Sequence, residues 1–328
     1  QYKYSLCSFH NSLIPFPLFS IRNPIFNKGK NSDLLLGSIG MDPRQELMFR
    51  AMLAEKTKRY EEVVDAMNQI AVLDMELTLE ERNLFSFGYK KVTAEKRASL
   101  KALIYMEVQE ENKGSESRMK IATVFCQKVE SELDNLCNAV INTIDKHLLP
   151  YSSDAESKAF YYKMKGDYYR YLAEFKIQTE YSEVVDQSLK AYENASNIAE
   201  INLSPAHPVR LGLALNVSVF YHDMLDSSDR ALQLAKQAVE DAVPNLCLLD
   251  GDSYNNSTVI LQLLGNNLAR WNLNSNMDVE AEYTEEGTEM SGASSDSNMD
   301  GYAENTLEWD GKSGSPCSSA VCDDEDAK

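Results

Sequence analysis

From Pro43 onward, apolar side chains recur three and four positions apart with polar residues between them, as in Leu47, Met48, Ala51 and Met52. That period marks one face of an α-helix, and it persists along most of the chain. Thr78 and Glu81 stand at capping-box spacing ahead of a long helical stretch. Lys113-Gly114-Ser115 breaks that stretch before a second one running to about Lys146. Leu149-Pro150-Tyr151-Ser152-Ser153 ends the second, and further helices are predicted over about 155–175, 182–202, Pro208–Met224, Asp229–Ala242 and Ser253–Trp271. The connections are short and rich in Ser, Asp, Pro or Gly, and no segment joins period-two alternation to a hairpin turn. The fold class is therefore all-α: a bundle of about nine antiparallel helices over residues 41–273.

Both ends leave this pattern. Residues 1–40 mix aromatics, Pro and Gly without a helical period and close on Gly37-Ser38-Ile39-Gly40, just before Met41-Asp42-Pro43. Met41 reads as the natural start, and 1–40 as a non-native stretch read in frame or a disordered N-terminal extension. A targeting peptide is the other reading, but Pro15 and Pro17 interrupt its apolar run, and no small-residue cleavage site follows a basic stretch. Over 274–328 Glu, Asp, Ser and Gly replace the branched aliphatics, so a disordered acidic C-terminal tail is expected.

Charge sharpens the division. Of 51 acidic residues, 15 fall in the last 55 positions against only Lys312 and Lys328, so most of the net charge of −19 belongs to the tail. The central segment remains acidic, which argues against nucleic acid as the main partner, because phosphate backbones select basic patches. Any anion bound there needs a local cationic island. No run approaches the roughly 20 apolar residues of a membrane-spanning helix, so no membrane insertion is expected. The six cysteines form no CxxC, and Cys126 and Cys137 lie too far apart along one helix to pair. Reduced thiols point to a cytoplasmic setting, with the nucleus as a further compartment.

Catalytic machinery is not legible. The four histidines are scattered with no HExxH, Gly166 and Gly212 stand alone, and the pairs Glu61-Glu62 and Glu80-Glu81 fall on solvated helix faces. No enzymatic activity, metal or cofactor is expected.

The island sits in Lys163-Met164-Lys165-Gly166-Asp167-Tyr168-Tyr169-Arg170-Tyr171-Leu172-Ala173-Glu174. On a helix Asp167 lies three residues before Arg170 and Glu174 four after it, so both carboxylates can brace the guanidinium. Lys90 and Arg97 lie seven apart on one face of the third helix. A guanidinium fork, an ammonium and a Tyr hydroxyl suit a phosphate dianion; the same spacing suits a structural ion-pair ladder, and spacing does not separate the two. Leu215 and Val219, and likewise Leu263 and Trp271, fall on single helical faces that by themselves read as ordinary core.

The runs Glu80 to Leu84, Met164 to Glu174, Pro205-Ala206-His207-Pro208-Val209-Arg210-Leu211-Gly212-Leu213-Ala214-Leu215-Asn216 and Gln262 to Trp271 strongly resemble the 14-3-3 protein family. The resemblance runs from about Asp42 to Trp271, and Met41-Asp42-Pro43-Arg44 with Leu73 to Thr78 is similar to plant members. It implies a dimer of nine-helix protomers that bind phosphoserine or phosphothreonine peptides in an amphipathic groove, an adaptor that regulates phosphorylated client proteins in signalling. It implies that Lys90, Arg97, Arg170 and Tyr171 hold the phosphate, that Asn216 and Asn267 bond the peptide backbone, and that Lys163 is an accessory contact. Leu215, Val219, Leu263 and Trp271 would form the apolar wall.

For a homodimer or heterodimer, the resemblance implies that the first helices pack on the third and fourth of the partner. Arg59 would face Glu132 and Glu62 would face Lys128, with apolar burial around Leu53 and Leu103. Ser99, preceded by Lys96-Arg97-Ala98, would lie near the seam. The chain also departs from the family pattern. Ala94-Glu95-Lys96 precedes Arg97 where Gly-Ala-Arg is usual, Leu100 replaces a Trp, and Gly265, Asn266 and Arg270 interrupt the usual run before Trp271. A tetratricopeptide-like scaffold binding peptides without phosphate dependence is the rival reading, suggested by Ala231 to Ala238, but that unit does not recur at a spacing of about 34 residues.

Overall fold

The computed structural model describes residues 42–284, with side chains through Leu273. The expectations for residues 1–40, for Met41 as a start and for 285–328 lie outside the described residues. Among the described residues nine α-helices follow one another: α1 (Pro43–Lys56), α2 (Tyr60–Ala71), α3 (Leu79–Asn112), α4 (Glu116–Thr143), α5 (Ala155–Ala173), α6 (Gln178–Asn202), α7 (Pro208–Asp223), α8 (Ser228–Ala242) and α9 (Gly251–Thr284). No strand occurs among the described residues, and no described helix is long and apolar enough to cross a membrane.

Local chemistry accounts for most of the boundaries. The capping box before α3 is formed: Glu81 N donates to Thr78 Oγ1 at 3.2 Å, and Thr78 N donates to Glu81 Oε2 at 2.8 Å. Asp42 and Asp154 cap α1 and α5 by a one-way bond, each carboxylate accepting from a backbone N–H, that of Gln45 and of Ser157. Gly114 adopts φ +69° between α3 and α4, a conformation that only glycine takes without strain. The end of α4 loosens into a π-helical turn, Ile144–Leu148, before Pro150 stops it.

Two boundaries escape the pattern. The α1–α2 break falls at Thr57-Lys58-Arg59, which holds neither Gly nor Pro; Lys58 takes φ 58° while Thr57 Oγ1 donates to the Leu53 carbonyl at 2.8 Å. Helix α9 runs on through Thr284, past the boundary expected at residue 273.

The helices pack in sequence around a series of apolar clusters. The first joins α1 to α5 through residues such as Val63, Met67, Phe85, Tyr89 and Tyr168. The next joins α5, α6 and α7 through Tyr192 and Phe220, and the last joins α7, α8 and α9 through Leu211, Ala235, Leu264 and Trp271. Each large side chain fully buried in this way contributes about 1.5–3 kcal/mol. Leu100 fills its place in a smaller α3–α4 cluster with Cys126 and Leu133. The described cysteines are free thiols, and burial pushes Cys137 up to about 12.

The α5–α6 contact needs Gly166, because a Cβ there would stand 2.5 Å from the Tyr192 ring. The missing side chain lets Tyr192 lie against α5, and Ser188 Oγ fastens the same spot by donating to the Gly166 carbonyl at 2.9 Å.

Candidate functional site

Helices α3 and α5 carry the cations. Arg97 is 8% exposed and forks onto Glu174, Nε to Oε2 at 2.7 Å and Nη2 to Oε1 at 2.5 Å. Its Cζ stands 4.3 Å from the centre of the Tyr171 ring, and the Cζ of Arg170 stands 4.8 Å from the same centre. One aromatic ring therefore organises two guanidiniums. Lys90 is half-buried two turns earlier on α3, on the Arg97 face.

The bracing differs from the expected pattern, in which Asp167 and Glu174 both hold Arg170. Glu174 is bonded to Arg97, across 77 residues of sequence. Asp167 takes three other donors: Lys163 Nζ at 2.8 Å, the Tyr192 hydroxyl at 2.7 Å and Asn216 Nδ2 at 2.6 Å. Arg170 reaches this group only through its Nε, 3.4 Å from the Tyr192 hydroxyl. Side-chain direction explains the difference: the hydroxyl of Tyr192, whose ring is drawn close by Gly166, meets both groups that sequence spacing would pair.

Electrostatics follow from these contacts. Burial works to lower the pKa of Arg170, but Tyr192, Tyr171 and the Asp167 and Glu174 carboxylates outweigh it, and the guanidinium stays charged. Burial works to raise Asp167, and Lys163 and Arg170 overcome it; Glu174 is likewise held low by Arg97 against its own burial. Burial also pushes the Tyr192 hydroxyl up, so it stays protonated as a donor to Asp167. Among the described residues no acceptor meets the two terminal nitrogens of Arg170. A charged fork with unused donors is suited to bind an oxyanion.

Helices α7 and α9 supply a different surface. Leu215 and Val219 are half-buried and pack on the cluster that holds Leu264 and Trp271, while Leu263 is half-exposed on the next stripe of α9. Trp271 departs from its expected place on the wall. It is 2% exposed and stacks on His222, with ring centres 4.8 Å apart and planes 15° from parallel. A large flat ring with a stacking partner behind it is more stable inside, so it backs the wall.

The two asparagines expected to bond a peptide backbone are engaged with opposite polarity. Asn216 gives its Nδ2 to the acceptor-only Asp167, which leaves its Oδ1 for an incoming N–H. Asn267 takes a bond from Arg270 Nη2 on its Oδ1 at 3.2 Å, which leaves its Nδ2 for an incoming C=O. These amide orientations are assigned by the hydrogen-bond network, since a carboxylate cannot donate and a guanidinium cannot accept. Sequence reasoning missed Tyr192 as the organiser of the site; its signal is the isolated Gly166.

The residues expected at a dimer seam lie on α1 to α4. Leu53 is 48% exposed, and a groove beside it is lined by Leu47, Ala54, Arg59, Glu62 and Ala66. Leu103 is half-buried against the Leu100 cluster, Lys128 is exposed, and exposed Ser99 donates to the Glu95 carbonyl at 2.9 Å. Three of the four charges expected to cross the seam have partners within the protomer: Arg59 bonds Glu62, and Lys96 Nζ lies 2.8 Å from Glu132.

Comparison with known proteins gives a consistent answer. The family model for the 14-3-3 protein matches residues 50–272. The 14-3-3-like protein GF14-G of Oryza sativa subsp. japonica is 52% identical over 256 residues, covering 78% of this chain and 99% of its own. The 14-3-3 protein 9 of Solanum lycopersicum is 49% identical over 253 residues, 77% of this chain and 97% of its own. The 14-3-3 protein epsilon of Drosophila melanogaster is 48% identical over 231 residues, 70% of this chain and 88% of its own. With its helical domain matched from α1 to α9, the chain belongs to the 14-3-3 protein family.

Proposed function

We propose that this protein is a non-enzymatic, dimeric adaptor that binds phosphoserine and phosphothreonine segments of client proteins and so changes their conformation, location or partners. The observation that carries the reading is the pair of guanidiniums on Tyr171, with the Arg170 fork open to an acceptor. Two like charges held on one ring repel, and a phosphate dianion relieves that repulsion while taking charge-assisted bonds of about 1.5–3 kcal/mol each. Arg97, Arg170 and Lys90 hold the phosphate with Tyr171, and Asn216 and Asn267 take the peptide backbone. Leu215, Val219 and Leu263 pack its apolar side chains, and Lys163 stays on Asp167 as a positioning contact. The family membership favours this reading over a phosphate-independent helical-repeat scaffold. The protein works in the cytoplasm and nucleus, consistent with its free thiols.

The test is fluorescence anisotropy with one serine peptide in phosphorylated and plain forms. The phosphorylated form should bind at least about a hundredfold more tightly. Equal affinities would overturn the reading.

A further inference from the structure

Arg270 is the feature of the α7–α9 side that the proposed function does not use. It lies on α9 one turn past Asn267 and two past Leu263, on a half-exposed stripe beside the buried stripe of Ile260, Leu264 and Trp271. The interior next to it is filled by Trp271, so the long Arg stem runs along the surface and its head reaches back to Asn267 Oδ1 at 3.2 Å. That bond turns the donor end of Asn267 toward a peptide carbonyl. A backbone held by Asn267 therefore passes beside a guanidinium, which carries only donors.

We infer that Arg270 is a specificity-determining residue that reads an anionic group on the client beside the phosphorylated residue, so that segments with Asp, Glu or a second phosphate there bind more tightly than segments with Lys or Arg. This rests on the phosphopeptide reading above and deepens it. The physical reason is the contrast along the wall. Leu215, Val219 and Leu263 reward apolar side chains without regard to charge, whereas Arg270 adds a charge-assisted bond for one sign and repulsion for the other. The head is half-exposed, so an acidic neighbour should gain about three- to fivefold over Ala, and a phosphate dianion more. The gain should shrink with added salt.

The experiment is anisotropy with one phosphopeptide varied only at the neighbouring positions (Ala, Asp, phosphoserine or Lys), measured on wild type, Arg270→Leu and Arg270→Lys at low and high salt. Wild type should rank phosphoserine above Asp, Asp above Ala and Ala above Lys. Arg270→Leu should lose the ranking while keeping its preference for phosphorylated over plain peptide, and Arg270→Lys should keep the ranking. The same ranking in wild type and Arg270→Leu, or no ranking in wild type, would overturn the inference alone. Loss of discrimination between phosphorylated and plain peptide in wild type would instead remove the underlying reading, and the inference with it.

Discussion

The α3–α5 side and the α7–α9 side of the site are built by opposite means. On the first, every assigned cation with a described contact is held by polar bonds or by an aromatic face: Arg97 by Glu174 and Tyr171, Arg170 by Tyr171 and Tyr192, Lys163 by Asp167. On the second, Leu215 and Val219 are held by packing onto the Leu264–Trp271 cluster. Polar bracing fixes direction, which a phosphate requires, whereas packing fixes only a surface, which many client side chains can share. Under the proposed function the difference assigns selectivity to two places: the phosphate to α3 and α5, and its neighbours to α7 and α9.

The most severe way to break the polar side is Arg170→Glu. Reversing the charge of the open fork should weaken phosphopeptide binding about a thousandfold, since it removes bonds and adds repulsion; isothermal titration measures it, and wild-type affinity would show that the phosphate lies elsewhere. Asp167→Ala should damage both sides at once, because this buried carboxylate joins Lys163 and Tyr192 to Asn216. Leaving its partners buried and unpaired should cost about 3 kcal/mol of stability, read by denaturant unfolding. A cost within about 0.5 kcal/mol would show that solvent replaces it.

The apolar side should respond more mildly. Leu263→Asp should weaken phosphopeptide binding about tenfold and leave the phosphorylated-to-plain ratio unchanged, because it disturbs a wall that reads no phosphate. A collapse of that ratio in anisotropy would mean the two sides are not separable.

Acid sharpens the picture beyond the groove. Glu156 is held down at about 2, first by the His207 bond against its own burial and then by Arg82, and it links α3 and α5 to the start of α7. A carboxylate with a depressed pKa stabilises the fold above its ordinary value of 4.5, and that contribution is lost as pH falls toward about 2. Glu156 is about a third exposed, so the effect should stay under about 1.5 kcal/mol. Melting temperature against pH should fall less steeply in Glu156→Gln over this range than in wild type.

The smallest effect belongs to the dimer seam. Because Arg59 and Glu132 already have partners in the protomer, forming a pair across the seam exchanges bonds instead of adding them. A double-mutant cycle on dimer dissociation should give a coupling below about 0.5 kcal/mol. A coupling of several times that value would show that the protomer pairs release on assembly at little cost.

Helix boundaries were legible wherever local chemistry sets them: the capping box at Thr78 and Glu81, Gly114 after α3, Pro208 opening α7. The boundary at Lys58 was not, because its left-handed backbone is imposed by the packing of α1 on α2 and leaves no Gly or Pro in the chain. The same division runs through the site. Sequence placed Lys90, Arg97, Arg170 and Tyr171 on helix faces and named the right carboxylates. It paired those carboxylates by spacing along one helix, whereas Glu174 serves Arg97 on α3 and Asp167 serves α6 and α7.

The sequence by itself thus determined the helical class, the succession of elements and the cationic residue types, since these follow from periodicity and neighbours within a turn. Only the tertiary structure decided which charges meet, which asparagine edge is left open and that Trp271 is buried against His222. Those outcomes depend on how closely helices approach, and at α5 and α6 that approach is set by the side chain Gly166 lacks.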